Sequence, residues 1–65
     1  MSAKKIYGKK GELIAERVSE SNRITLYAVD GSYIGEYIKE DDMTYDDTGT
    51  FVGYGDLLTT LIRPR

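Results

Sequence analysis

The sequence predicts an all-β domain: three tandem antiparallel β-hairpins, giving a six-stranded meander or small barrel, with a short C-terminal helix. Three observations carry that reading. First, Tyr7, Tyr27 and Tyr45 are each followed four residues later by a glycine (Gly11, Gly31, Gly49). Seven residues after each tyrosine stands Ile14, Ile34 or Val52, and eight after stands Ala15, Gly35 or Gly53. Second, the stretches between these units, "SESN" and "EDD", are short and polar, as links between antiparallel neighbours are. Third, the period changes after Gly55, where Leu57, Leu58, Leu61 and Ile62 recur at helical spacing.

Each unit reads as a hairpin with a three-residue loop: Lys9-Lys10-Gly11, Val29-Asp30-Gly31 and Asp47-Thr48-Gly49. A type I turn closed by a bulge needs positive φ at its last residue, which glycine adopts without steric cost. That loop length sets Tyr7 opposite Leu13, Tyr27 opposite Tyr33 and Tyr45 opposite Phe51. On the other face it predicts Ile6 opposite Ile14, Leu26 opposite Ile34 and Thr44 opposite Val52. Gly35 and Gly53 then fall beside the aromatic pairs, where a ring can cover the glycine backbone. The strands predicted are 5–8, 12–18, 23–28, 32–39, 43–46 and 50–54. The last segment, "GDLLTTLIRP", is expected to be a short helix with Asp56 at its start and Pro64 as its stop; Thr59 and Thr60 make a final strand the competing reading.

A single domain of 65 residues buries only about 60% of its unfolded surface. Domains of this size depend on a staple. With no cysteine and no histidine, disulfides, thiolate metal sites and the commonest general base are all ruled out. Local regularity and self-association are the supports that remain. No apolar run approaches the roughly 20 residues of a membrane span, and the N-terminal residues lack the apolar segment of a secretory signal, so a cytoplasmic setting is expected.

Charge is unevenly placed along the chain. Residues 1–23 carry six cations against three anions, whereas residues 24–56 carry Lys39 against eight carboxylates. Asp41, Asp42, Asp46 and Asp47 are the densest acidic group, but "DDMTYDDTG" lacks the ligand order of a calcium loop. Neither does the serine set have an imidazole to activate it. The glycines of "GTFVGYG" invite a phosphate-loop reading, but the same spacing recurs where no helix follows. No cofactor or metal is expected, and no enzymatic activity.

Six tyrosines and one phenylalanine are the constellation that points to function. Tyrosine supplies interface area at low entropy cost, with a hydroxyl for the rim. Aromatic sheets that bind single-stranded nucleic acid pair their rings with a positive groove; here the tyrosine-rich portion is acidic, which argues against that partner. The expected function is a non-enzymatic protein-interaction module, self-associating through Tyr27, Tyr33, Tyr37, Tyr45 and Phe51. The alternative is a phage- or plasmid-encoded inhibitor whose acidic band (Glu36, Glu40, Asp41, Asp42, Asp46 and Asp47) binds a basic surface of a host protein.

"LYAVDGSYIGEY" resembles the hairpin of cell-wall choline- or glucan-binding repeats, and "TYDDTGTFVG" resembles the tyrosine-aspartate repeats of large bacterial toxins. "LYAVDG" is also similar to the opening tyrosine motif of SH3 domains. These resemblances imply hairpins and a bacterial or phage origin. The tryptophans that hold choline-type ligands, and those of the SH3 peptide groove, have no counterpart in this chain, so no site is carried over.

Overall fold

The computed structural model describes residues 2–62, and its strands follow the repeat closely. Six antiparallel strands form one sheet in the order β1 (Ser2–Tyr7), β2 (Leu13–Ser19), β3 (Arg23–Ala28), β4 (Tyr33–Ile38), β5 (Met43–Asp46) and β6 (Phe51–Tyr54). The sheet is an open meander rather than a barrel, so β1 and β6 each have a sheet neighbour on one side only.

All three hairpin loops have the predicted length and turn. Gly11, Gly31 and Gly49 have φ of +82°, +89° and +84°, and each donates its N–H to the carbonyl three residues back, at 2.9–3.0 Å. Asp30 and Asp46 brace the second and third loops from within: Asp30 Oδ1 accepts from Ser32 N and Oγ, while Asp46 Oδ1 accepts from Thr48 N, Thr48 Oγ1 and Thr50 N. These bonds, that from the Thr48 hydroxyl foremost, hold the Asp46 carboxyl below the ordinary carboxylate range. A fourth tight turn links β4 to β5. There Asp42 takes the left-handed conformation (φ +54°), and its carboxylate accepts the Tyr37 hydroxyl at 2.8 Å.

The aromatic-side register agrees with expectation: Tyr7 faces Leu13, Tyr27 faces Tyr33 and Tyr45 faces Phe51. On the other side it differs by one residue. Ile6 faces Ala15, Leu26 faces Gly35 and Thr44 faces Gly53, leaving Ile14, Ile34 and Val52 as the extra residues of three bulges. A bulge sets two residues of one strand against one of the other, and both turn toward the same face. The first two hairpins thereby direct Ile14 with Ala15 and Ile34 with Gly35 to one side of the sheet, whereas Val52, beside Gly53, stays exposed.

That side is the core. Ala15, Leu26 and Leu58 are fully buried, with Ile6, Ile14, Ile24, Ile34, Tyr37, Leu61 and Ile62 packed around them. Burying a leucine of this kind contributes about 2–3 kcal/mol, so Leu26 and Leu58 are a substantial part of a small domain's stability. The cover is the C-terminal segment. The short helix expected here is one turn of 3₁₀-helix, Leu58–Leu61, tighter than the 3.6-residue spacing of its leucines implies. Thr60 explains part of that difference: its N–H and its hydroxyl both bond the Leu57 carbonyl, at 3.0 and 2.6 Å, fixing an i to i+3 turn. Pro64 lies outside the described residues.

Two polar clamps hold the segment on the sheet. Buried Thr44 donates its hydroxyl to the Gly55 carbonyl at 2.6 Å and accepts Leu57 N–H at 3.0 Å. Arg17 on β2 grips Asp56 through its two terminal guanidinium nitrogens, Nη2 at 2.6 Å and Nη1 at 3.5 Å, while Asp56 also accepts Leu58 N–H. Burial pushes the Asp56 carboxyl up, but the Arg17 and Leu58 bonds outweigh it and hold the group below its ordinary value.

Small residues at the bulges make this cover possible. A Cβ on Gly35 would lie 2.5 Å from the Tyr45 carbonyl oxygen and 2.6 Å from Leu61 Cδ1; one on Gly53 would lie 2.7 Å from Leu57 Cδ1. These glycines are thus covered by leucines, and the expected covering rings lie on the opposite face. Replacing Gly35 by alanine should cost about 2 kcal/mol through overpacking. Gly31→Ala has open space and only the positive-φ strain of about 1 kcal/mol. Urea unfolding of both variants checks the ranking, and a Gly35→Ala variant no less stable than Gly31→Ala contradicts the close approach of Tyr45 and Leu61 to Gly35.

Candidate protein-interaction face

The other face of the sheet carries the rings, and no element of the described residues covers it. Following the register across the strands, one row reads Lys5, Glu16, Tyr27, Tyr33. The central row reads Ala3, Val18, Thr25, Glu36, Tyr45, Phe51, crossing all six strands. A third reads Arg23, Ile38, Met43, Tyr54. The face is therefore apolar and aromatic, with single charges of both signs set among the rings.

Its rings lock one another in place. Tyr27 meets Tyr33 edge to face at 6.4 Å, Tyr45 meets Phe51 at 6.1 Å, and Phe51 meets Tyr54 at 5.3 Å. Such pairs add about 0.5–1.5 kcal/mol beyond their burial. Tyr45 donates its hydroxyl to Met43 Sδ at 3.3 Å and Tyr33 to Glu36 Oε1 at 3.1 Å. Thr25, central on the face, is buried by its neighbours alone. The rings toward the edges remain open to solvent: Tyr33 is 39% exposed, Phe51 45%, Tyr7 58% and Tyr54 68%.

Of the aromatic residues singled out from the sequence, Tyr27, Tyr33, Tyr45 and Phe51 share this face, and Tyr37 does not. Simple alternation places Tyr33 and Tyr37 on one side of β4. The bulge at Ile34–Gly35 shifts the phase, so Tyr37 pairs with Ile24 and Thr44 and packs against the core. The same shift explains Tyr54, which alternation sets opposite Phe51 and the bulge brings into ring contact with it. Tyr7 and Tyr54 are the residues sequence reasoning left out. The repeat held the clue, because the [Ile/Val]-[Ala/Gly] pair marks the bulge.

The acidic residues do not converge. Glu40, Asp41 and Asp42 lie in the link before β5, Asp46 and Asp47 at its other end, and Glu36 in the middle of the aromatic face. Asp42 and Asp46 are engaged in their own turns. Among the described residues no cluster of three or more carboxylates is placed to hold a metal ion, and no helix is long and apolar enough to cross a membrane. Comparison with protein-family models, curated proteins and solved structures finds no match.

Tyr33 has a measurable signature. Loss of hydration, then the bond to Glu36 and its negative charge, push the Tyr33 phenol from 10.0 up to about 12. A raised folded-state value stabilises the fold below the unfolded value and loses that contribution as pH rises. Stability should therefore fall as pH climbs from 10 toward 12, and Tyr33→Phe should flatten that part of the profile. Thermal unfolding across this range reads it directly; an unchanged slope in the variant contradicts the raised Tyr33 phenol.

Proposed function

We propose that this protein is a non-enzymatic interaction module that uses the aromatic sheet face to bind protein, in the first place a second copy of itself. The observation that carries the reading is the uncovered row of rings opposite a face already closed by Leu57, Leu58 and Leu61. With three apolar residues fully buried among those described, the core is small, and pairing two such faces would add the second layer that a sheet domain ordinarily has.

Area and charge both fit a second copy. A standard interface takes about 800 Å² from each partner. That is about one sixth of this protein's 4730 Å² surface, which one face of a six-stranded sheet can supply. Lys5, Glu16, Arg23 and Glu36 give the face both signs, so two copies can meet without the like-charge repulsion of a uniformly acidic surface. The separation of Glu40, Asp41 and Asp42 from Asp46 and Asp47 favours this reading over an inhibitor built on one acidic band.

Sedimentation velocity over a range of micromolar concentrations tests it. The wild type should sediment as a dimer or larger species, and Tyr33→Glu with Phe51→Glu should sediment as a folded monomer. A wild type that stays monomeric throughout the range overturns the self-association reading.

A further inference from the structure

A second contact is written in the sheet edges. The joins between hairpins obey one register. At the β2–β3 join Ala15 faces Ala28 and Glu16 faces Tyr27; at the β4–β5 join Gly35 faces Asp46 and Glu36 faces Tyr45. In both, the residue after the small bulge position faces the motif tyrosine of the next hairpin. β6 ends with the same positions, Gly53 and Tyr54, and among the described residues no strand pairs with its outer edge. β1 begins the first hairpin, and among the described residues no strand lies on the outer side of its motif tyrosine, Tyr7.

We propose that β6 of one copy pairs with β1 of the next, so that the meander continues from molecule to molecule with Tyr54 opposite Tyr7. These are the two most exposed rings, and both lie on the aromatic face at opposite edges. Charge selects this pairing. The β1–β2 turn carries Lys9 and Lys10, and the β5–β6 turn carries Asp46 and Asp47 at the same end of the sheet, so continuing the sheet brings opposite charges together. Joining β1 to β1 instead would oppose Lys4 and Lys5 with the same residues of the other copy, which is destabilising. The contact is head to tail, so it propagates into rings or filaments rather than stopping at two copies.

The proposal uses edges rather than the aromatic face, and its test separates the two. The chain has no cysteine, so single cysteines report contacts cleanly. Tyr7→Cys and Tyr54→Cys are made separately, each also carrying Tyr33→Glu and Phe51→Glu to remove face pairing, and mixed under mild oxidation. Facing residues of an antiparallel pair lie within disulfide reach, whereas in one copy five strand spacings alone set the two positions more than about 20 Å apart. The mixed disulfide should exceed the two self-disulfides together several-fold, with the excess falling at high salt. A purely random distribution, or no cross-link, overturns the edge contact and leaves the face reading untouched. A second arm uses native rings: Lys9→Glu with Lys10→Glu should weaken concentration-dependent growth several-fold, and mixing with Asp47→Lys should restore it. Growth insensitive to both charge changes counts against the proposal.

Discussion

The structure depends on the bulge that follows each hairpin turn. At Ile14–Ala15, Ile34–Gly35 and Val52–Gly53 two consecutive residues face the same side, so the pleat changes phase in every unit. Ile14 and Ile34 contribute apolar surface to the core, and the small residue beside each bulge leaves a seat. Leu57 and Leu61 occupy two of those seats, at Gly53 and Gly35, and Leu58 closes the core beside Leu26. Thr44 and Arg17 then hold the covering segment, one through a buried hydroxyl and the other through a charge pair. A chain with few apolar residues to bury thus spends its C-terminal leucines on one face.

That assignment has a consequence for the opposite face. The last 3₁₀ turn spans too few residues to cover both sides, and the chain has no disulfide to compensate. The rings of Tyr27, Tyr33, Tyr45, Phe51 and Tyr54 brace one another edge to face and stay partly wet. Placed on a sheet and braced by one another, these rings are already ordered, so a partner of the proposed kind would meet them at little ordering cost. Loss of hydration and Glu36 keep the Tyr33 hydroxyl protonated above pH 10, where an ordinary tyrosine ionises.

Much of the fold was legible in the sequence because glycine spacing encodes the loop directly. Gly11, Gly31 and Gly49 gave loop length, and loop length gave the tyrosine-side register. The core-side register was not legible by alternation, since the pattern Tyr-Ile-Gly-Glu looks the same whether or not the strand skips a residue. Tyr37 and Tyr54 exchanged faces for that reason. The closing segment was legible as a cover but not as a 3₁₀ turn, because its geometry depends on the Thr60 hydroxyl finding the Leu57 carbonyl. The acidic residues read as a group in the chain and are parted in space by the length of β5.

The central claim is that the leucine-covered side is inside and the aromatic side is outside. Hydroxyl-radical footprinting at concentrations where the chain is monomeric measures this residue by residue. Phe51, Tyr7 and Tyr54 should oxidise rapidly while Leu26 and Leu58 are protected. Protection of Phe51 together with rapid oxidation of Leu58 would contradict the account.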